Sequence, residues 1–353
     1  MSLATMENDL TRMLGFEPSK EQFAAITAPL EPGMIIAGAG TGKTTVMSAR
    51  ILWLVMTGQV APQQILGLTF TKKATQELSA RVRAMLPRAL QCIDPKTQEN
   101  FGEPTILTYN AFGARLLKEH GLRLGYEPDA RVVVDATRYQ LAMRVVHDTA
   151  VDLAQYGYSA VKAIESLMKL DEQCSNYLVE PASLIAHEQQ RIQQLSAIEK
   201  KQKLVHEMLA THQERIDLAH LVDEFRAAKQ QYGVIDYSDQ IRLAAKIAQT
   251  SPEVGELLRE QFSVVLLDEY QDTSASQKEL LTALFSQGHP VMAVGDPCQA
   301  IYRWRGAEID NMENFVNDFP CVVDGNKQEA KSYNLSANRR SGQQVLDLSL
   351  IHI

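Results

Sequence analysis

One glycine-rich segment constrains the fold of this 353-residue chain more than any other feature. An apolar run, Gly33 to Ala37, is typical of a buried strand, and Lys43 to Met56 carries Ala, Val, Ile and Leu on one side of a helix. The segment between them reads Ala37-Gly38-Ala39-Gly40-Thr41-Gly42-Lys43-Thr44. Glycines there let backbone N–H groups point at phosphate oxygens, and the start of a helix adds favourable partial charge. The pattern predicts a phosphate-binding loop, with a tight glycine turn that binds no nucleotide as the alternative.

Two residues at the end of this loop carry the side chains that nucleotide chemistry requires. Lys43 is expected to contact the β- and γ-phosphates, and the Thr44 hydroxyl is expected to bind Mg²⁺. The strict pattern begins with glycine, and Ala37 holds that position here. The candidates for nucleotide binding in the loop are Ala37, Gly38, Ala39, Gly40, Thr41, Gly42, Lys43 and Thr44.

A pair of acidic residues follows another buried strand. Ser263 to Leu267 is apolar, and Asp268 and Glu269 come directly after it. Side chains alternate along an extended chain, so these two carboxylates point in different directions. Asp268 is predicted to hold Mg²⁺, directly or through water, and Glu269 is predicted to polarise the attacking water. Two surface acids at a strand end are the alternative.

Short apolar strands alternate with helices at both ends of the chain. Ile65 to Thr69 and Val291 to Val294 add to the strands already named. This alternation predicts an α/β fold with a parallel sheet covered on both faces. The middle differs, because 182–232 contains neither Gly nor Pro and is rich in good helix formers. We interpret about 111–240 as a mostly helical insertion, with a coiled coil over 182–232 as the alternative.

The cysteine content, the lengths of the apolar stretches and the net charge indicate the compartment and the partners to expect. Four widely spaced cysteines without a C-x-x-C pattern disfavour a zinc site or a disulfide framework and suit a reducing cytosol, so we expect a cytoplasmic protein. No apolar stretch approaches the roughly 18–20 residues of a membrane helix, so no membrane partner is expected. The net charge of −8 argues against a broadly basic nucleic-acid-binding surface, although it leaves room for a local basic or aromatic groove.

Further segments follow the order of a known family. These segments are Ser19 to Ala25, Leu68 to Ala74, Thr108 to Phe112, Asp236 to Asp239, Asp268 to Thr273, Val294 to Ala307 and Leu335 to Ser341. Together with the phosphate loop, they resemble superfamily 1 DNA helicases of the UvrD/Rep/PcrA type, in particular actinobacterial helicases. The resemblance implies a RecA-like P-loop NTPase sheet with a mostly helical inserted subdomain. The implied domains are 1A over 1–110 and 241–340, subdomain 1B over 111–240, and a truncated start of a second RecA-like domain over 341–353.

The same resemblance implies roles at the nucleotide site. Gln22 reads the adenine edge, since its amide offers both an acceptor and a donor. Gln299 senses the γ-phosphate, and Arg340 aligns with an arginine finger. Thr45 replaces an arginine that helps to hold the nucleotide, and Arg339 replaces a tyrosine that stacks on adenine, although a guanidinium plane also stacks on a base. Thr45 and Gln22 join the predicted nucleotide contacts, and the predicted catalytic residues are Lys43, Asp268, Glu269, Gln299 and Arg340.

Three of these segments imply contacts with single-stranded DNA. Aromatic side chains stack on bases of any sequence, at about 1–3 kcal/mol per base, which suits a protein that moves along arbitrary DNA. Hydroxyl, amide and cationic groups reach the phosphates. The predicted DNA-binding residues are Thr69, Phe70, Lys72, Thr108, Tyr109, Asn110, Tyr302, Trp304 and Arg305. A core position is the alternative for Phe70, and a buried aromatic cluster is the alternative for 301–305.

The resemblance therefore predicts the N-terminal part of an ATP-dependent DNA helicase or translocase that moves 3′ to 5′. Its cofactors are ATP and Mg²⁺, and its partners are single-stranded DNA, junctions of single- and double-stranded DNA, and the C-terminal helicase domains of a parent chain. In the family a second RecA-like domain completes the ATP site, so we expect this fragment to show little ATPase or unwinding activity. The alternatives are a P-loop ATPase that binds no nucleic acid and a non-catalytic interaction fragment.

Overall fold

The computed structural model describes residues 3–93, 101–198, 203–302, 306–307, 310–323, 325–342 and 344. The helices are α1 Leu3–Leu14, α2 Lys20–Ile26, α3 Lys43–Met56, α4 Lys72–Leu90, α5 Tyr109–His120, α6 Asp135–Asp148, α7 Ala160–Asn176, α8 Pro181–Ser196, α9 Lys203–Gln231, α10 Tyr237–Thr250, α11 Pro252–Gln261, α12 Ala275–Phe285 and α13 Asn311–Asp318. The strands are β1 Gly33–Ala37, β2 Ile65–Thr69, β3 Thr105–Thr108, β4 Arg131–Val132, β5 Val234–Ile235, β6 Val264–Leu267, β7 Val291–Gly295, β8 Cys321–Val323, β9 Asn326–Gln328 and β10 Lys331–Leu335.

The chain divides into two compact units. One consists of Met1–Phe112, Ala248–Ser274 and Lys278–Ile353, and we call it the α/β unit. The other consists of Gly113–Ile247 and Ala275–Gln277, and we call it the helical unit. The predicted insertion covered 111–240. Of the predicted start of a further domain at 341–353, only 341, 342 and 344 lie within the described residues.

The α/β unit is built on a six-stranded sheet in the order β10-β1-β7-β6-β2-β3. Each neighbouring pair is parallel. The central strands β6 and β7 are buried along their whole length, as expected for apolar runs covered on both faces. The predicted α/β fold with a parallel sheet is confirmed. Because the carboxyl ends of parallel strands share one edge, the segments after β1, β2, β6 and β7 converge there.

Arg50 is a buried cation among the apolar residues of helix α3. Its guanidinium donates to the carbonyl oxygens of Ala25, Ile26, Ala28 and Pro29, at 3.4, 3.2, 2.8 and 3.0 Å. Burial lowers the pKa of Arg50 to about 10, so the side chain still carries its charge at neutral pH. The contacts tie the end of α2 to the helix that follows the phosphate loop.

The helical unit has its own apolar core, in which α6, α7 and α9 pack together while α8 lies along α9. The stretch 182–232, which lacks Gly and Pro, forms most of α8 and α9, in agreement with its composition. β4 and β5 form a short parallel pair beside them. Within the described ranges, neither unit contains a helix that is long and apolar enough to cross a membrane.

A cluster of buried charges joins α7, α9 and α10 in the helical unit. Lys229 lies 2.8 Å from Asp171, 3.0 Å from Asp236 and 2.8 Å from Asp239. Burial alone lowers the pKa of Lys229, but the three carboxylates raise it above its ordinary value. Asp236 and Asp239 also exchange hydrogen bonds between backbone and side chain at the start of α10. The segment 236–239 therefore begins a helix and pairs with a buried lysine.

Candidate nucleotide site and nucleic-acid face

The phosphate loop runs from the end of β1 to the first turn of α3. Gly40 and Gly42 have φ angles of +77° and +92°, a region that favours glycine. A Cβ atom on Gly40 would lie 2.7 Å from both the Arg340 Cβ and the Asn338 Oδ1. The Thr41 hydroxyl donates to the carbonyl oxygen of Gly38 at 2.8 Å, which closes the loop on itself. Glycine is therefore required at Gly40 both by the backbone and by the close approach of 338–340.

The loop borders a cavity of about 290 Å³. The lining residues are Gly38, Ala39, Gly40, Gly42, Lys43, Thr44, Thr45, Glu77, Arg81, Glu269, Gln299 and Arg340. Side chains predicted from four separate segments thus meet at one cavity. Sequence reasoning missed Glu77 and Arg81 of α4, where Arg81 donates to the Thr45 hydroxyl at 2.8 Å. At position 45 the family resemblance implies an arginine, and this chain has Thr45. Arg81 therefore supplies a cation next to that position.

Lys43 and Glu269 form an ion pair in the cavity. The Lys43 Nζ lies 2.8 Å from the Glu269 Oε2, and the two side chains are 11% and 33% exposed. Glu269 follows β6 with φ +49° and ψ +45°, a left-handed conformation that is uncommon for a residue other than glycine. A triphosphate that engages Lys43 therefore competes with Glu269 for the ammonium group.

Asp268 is the buried acid of the pair, with 3% of its surface exposed. Its Oδ1 has no hydrogen-bond partner among the described residues. Burial, and then the charge of Glu269, raise the pKa of Asp268 to about 7. Burial and Glu269 also raise the pKa of Asp272 to about 6. Asp268 is not among the residues that line the cavity, but its carboxylate has one oxygen without a partner in the described part of the chain, and carboxylate oxygens are ligands that suit Mg²⁺.

A hydrogen-bond chain links Glu269 to the segment after β7. The Gln271 Nε2 donates to the Glu269 Oε2 at 2.8 Å, and its Oε1 accepts from the Asp296 N–H at 3.0 Å. The Asp296 carboxylate in turn accepts from the Gln299 amide and from the Cys298 N–H. Gln299 lines the cavity. Gln271 and Asp296 therefore connect Glu269 to Gln299 through hydrogen bonds.

Gln22 braces the phosphate loop from the side of α2. Its Oε1 accepts from the Ser19 N–H at 3.1 Å, and its Nε2 donates to the Thr41 carbonyl at 2.9 Å. The side chain is buried, although it lies next to the loop. The predicted adenine contact of Gln22 stays a prediction, since both ends of its amide already bind this chain's backbone.

The segment after β10 lies directly on the phosphate loop. The Asn338 Nδ2 donates to the Ala39 carbonyl at 2.8 Å, and the Arg339 N–H donates to the Gly40 carbonyl at 2.9 Å. Arg340 reaches the cavity, whereas the Arg339 guanidinium stacks over the Phe16 ring at 5.8 Å. The loop and the arginine segment are therefore held together although they are far apart in sequence.

Several predicted DNA-binding residues are accessible near the ends of β2 and β3. The rings of Phe70 and Tyr302 face each other, with centroids 5.0 Å apart. Lys72 and Asn110 are exposed, and Thr108 is half-buried. These residues form a face with two aromatic rings, a cation and polar groups, which matches the chemistry of single-stranded nucleic acid. The predicted residues Trp304 and Arg305 lie outside the described part of the chain.

Two other predicted DNA-binding residues point inward. Thr69 is fully buried, and its hydroxyl bonds to the Thr71 carbonyl and the Thr75 hydroxyl at the start of α4. Tyr109 is 3% exposed, and its hydroxyl donates to the Asp268 carbonyl at 3.1 Å. Burial argues against direct DNA contacts by these two side chains, because neither is accessible to a base or a phosphate.

The fold and the site define a class of protein. A parallel sheet whose first strand leads into a glycine-rich loop and a helix, with acids at the end of another strand, is the arrangement of a P-loop nucleotide-binding protein. The family model of the UvrD/REP helicase N-terminal domain matches residues 18–320. The chain therefore belongs to the UvrD/REP helicase family.

Curated relatives agree with this family. The chain is 28% identical to the ATP-dependent DNA helicase PcrA of Leuconostoc citreum, over 98% of this chain and 39% of that protein. It is 26% identical to DNA helicase II of Escherichia coli strain K12, over 92% of this chain and 39% of that protein. A probable DNA helicase of Mycoplasma pneumoniae is 28% identical over 93% of this chain and 54% of that protein. The chain thus spans about two fifths to about half of the length of these relatives.

Proposed function

We propose that the chain is the ATP-binding N-terminal part of an ATP-dependent DNA helicase or translocase. The observation that carries this proposal is the cavity at the phosphate loop, where Lys43, Glu269, Gln299 and Arg340 meet from distant parts of the sequence. A relative that aligns with nearly the whole of this chain is named an ATP-dependent DNA helicase, which supports the same activity. A P-loop ATPase without nucleic acid is less well supported, because the face with Phe70 and Tyr302 lies beside the site.

The cavity suits Mg·ATP with its phosphates on the loop. Lys43 binds the β- and γ-phosphates after it releases Glu269, while backbone N–H groups of the loop bind the remaining oxygens. Thr44 and Asp268 hold Mg²⁺, which neutralises phosphate charge when it is bound. Gln299 and Arg340 contact the γ-phosphate.

Glu269 is the proposed general base that activates the attacking water. Once Lys43 has moved to the phosphates, the Glu269 carboxylate keeps its hydrogen bond from Gln271 and is free to accept a proton from water. The Gln271–Asp296–Gln299 connection lets the γ-phosphate contact and the water-orienting acid change together. Hydrolysis is thereby linked to the segment that carries Tyr302.

Single-stranded DNA is the proposed polymer substrate. Phe70 and Tyr302 stack on bases, and Lys72, Thr108 and Asn110 contact the phosphates. Movement in the 3′ to 5′ direction and action at junctions with duplex DNA are part of the proposal by family resemblance, as is a cytoplasmic location. Unwinding needs a second RecA-like domain to close on the nucleotide, so we expect this chain alone to bind both ligands with little ATPase or unwinding activity.

A titration tests the nucleotide part of the proposal. A fluorescent ATP analogue, mant-ATP, should bind the chain with Mg²⁺, and Lys43→Ala should weaken binding at least about tenfold because the main phosphate cation is lost. Lys203→Ala is the matched control, since this exposed lysine lies in the helical unit. Unchanged binding by Lys43→Ala would contradict the assignment of the cavity.

A second titration tests the DNA part. Binding of labelled oligothymidine should weaken by about tenfold in Phe70→Ala, because stacking on one ring is worth on the order of 1–3 kcal/mol per base. Tyr232→Ala, an exposed ring in the helical unit, serves as the control. If oligothymidine does not bind while mant-ATP does, the chain is better described as a P-loop ATPase that does not act on DNA.

A further inference from the structure

Tyr109 lies between two residues proposed to contact DNA, yet its buried side chain points to the backbone of the acids after β6. It is the first residue of α5, directly after β3. Asn110 on one side is exposed and Thr108 on the other is half-buried, whereas the Tyr109 ring is buried. Its hydroxyl donates a hydrogen bond to the Asp268 carbonyl oxygen. The segment 108–110, which is proposed to contact DNA, thus also places the Tyr109 hydroxyl in the protein interior as a hydrogen-bond donor.

The acceptor of this hydrogen bond is the peptide that joins the two acids. The Tyr109 hydroxyl donates to the Asp268 carbonyl oxygen at 3.1 Å, and the Asp268 N–H donates to the Leu68 carbonyl at 2.8 Å. The backbone of Asp268 is therefore held on both sides. The next residue, Glu269, has the left-handed conformation, which a residue with a side chain keeps only where its surroundings impose it.

The position of the Glu269 carboxylate depends on this peptide. Glu269 reaches Lys43 at 2.8 Å and accepts from Gln271 at 2.8 Å, and both contacts require the backbone turn at Glu269. A rotation of the peptide between Asp268 and Glu269 would move the carboxylate away from Lys43. The hydroxyl of Tyr109 restrains that rotation, because a hydrogen bond fixes the direction of the carbonyl.

We propose that Tyr109 is a positioning residue that couples DNA binding to the nucleotide site by holding the peptide between Asp268 and Glu269. The Thr108 hydroxyl accepts from the Ala111 N–H at 3.1 Å and so shapes the first turn of α5. DNA phosphates that engage Thr108 or Asn110 shift this turn, and the Tyr109 hydroxyl moves with it because no residue intervenes. This coupling rests on the proposed function, since it requires both nucleotide and DNA to bind.

Coupling between two sites is reciprocal, so it is measurable as a change in affinity. The affinity of the whole chain for mant-ATP is measured with and without saturating oligothymidine, for the wild type and for Tyr109→Phe, which removes only the hydroxyl. We expect DNA to change the wild-type affinity by about fivefold or more and that of the variant by less than about twofold. In the absence of nucleotide, the affinity of the variant for oligothymidine should stay within about twofold of the wild type, a result that loss of folding would not give.

The matched control is Tyr156→Phe. The Tyr156 hydroxyl bonds to Asp217 at 2.6 Å within the helical unit, so this variant loses a similar contact far from the site in sequence. It should keep the wild-type coupling. The proposal is overturned if the wild type shows no coupling or if Tyr109→Phe keeps it. Failure of the proposed function looks different, because then mant-ATP or oligothymidine fails to bind the wild type at all.

Hydrogen–deuterium exchange gives a second readout, one part of which needs only the wild type. In the wild type, oligothymidine should change the exchange of the peptide that covers Asp268 and Glu269. In Tyr109→Phe the same peptide should exchange faster than in the wild type and should not respond to DNA. If Tyr109→Phe does not fold, the wild-type measurement decides, and exchange at 268–269 that is unaffected by DNA would overturn the proposal.

Discussion

Replacing Glu269 with glutamine should strengthen nucleotide binding, because the ion pair with Lys43 competes with the phosphates. Glutamine has the same shape and keeps an oxygen that accepts from Gln271, so the loop geometry is preserved. The Lys43 Nζ and the Glu269 Oε2 are 2.8 Å apart. At this distance the attraction is about 1.5 kcal/mol in water and about 6 kcal/mol at an effective dielectric constant of about 20.

Desolvation and side-chain ordering cancel most of that attraction. Fully exposed pairs retain about 0.2–1 kcal/mol. Lys43 is only 11% exposed while Glu269 is 33% exposed, so we take a net value of about 1–1.5 kcal/mol. Glu269→Gln should therefore lower the Kd for mant-ATP by roughly tenfold. The gain should shrink at high salt, because screening weakens the remaining ion pair.

The assay is a fluorescence titration at low and high salt, with Glu77→Gln as the control. Glu77 also lines the cavity but is exposed and lies 3.8 Å from Lys73, so its loss should change the Kd by less than about twofold. Equal or weaker binding by Glu269→Gln would refute the competition. An equal gain in both variants would mean that the net charge of the cavity, rather than the ion pair, sets the affinity.

Three further substitutions test other parts of the structure. Arg50→Met should lower the free energy of unfolding by about 3–5 kcal/mol in urea denaturation, because four carbonyl groups lose their donor, whereas the exposed Arg12→Met should change it by less than about 0.5 kcal/mol. Burial lowers the pKa of His289 to about 4, so between pH 6.5 and 4 the unfolded chain binds a proton that the folded chain does not. As the pH is lowered through this window, the free energy of unfolding should therefore decrease by up to about 3 kcal/mol more in the wild type than in His289→Phe. Gly40→Ala should weaken mant-ATP binding at least about tenfold by displacing Asn338 and Arg340, while Gly15→Ala, with a similar φ of +75° and nothing within 4 Å, should leave it unchanged.

The phosphate loop and the acids after β6 were predictable because their chemistry lies in short contiguous segments. The strand, the loop and the helix at 33–56 each have a local pattern, and Asp268 and Glu269 directly follow an apolar run. The parallel sheet then dictates that these segments meet at one edge. Local patterns combined with one rule of topology therefore predict that the loop and the acids lie together in one candidate nucleotide site.

The inward-facing side chains were not predictable from the sequence. Thr69 and Tyr109 stand beside residues that are accessible, and a single chain does not reveal which of two neighbours at a strand end faces the core. Arg50 reads as a polar interruption of an apolar helix, and its four acceptors become evident only when the end of α2 is placed next to it. Arg81 was missed for the same reason, since its partner Thr45 comes from another helix.

The pairing of β1 with β10 has a consequence for the order in which the chain folds during its synthesis on the ribosome. Gly33 of β1 pairs with Lys331 of β10, roughly 300 positions later, and the phosphate loop accepts hydrogen bonds from Asn338 and Arg339. At about 5–20 residues per second, the loop emerges about 15–60 s before these partners do. Contacts of such long range form late, because the chain between them must first be ordered. The loop therefore gains its contacts with 338–339 only after the chain has been synthesised beyond these positions, and the candidate nucleotide site is incomplete until then.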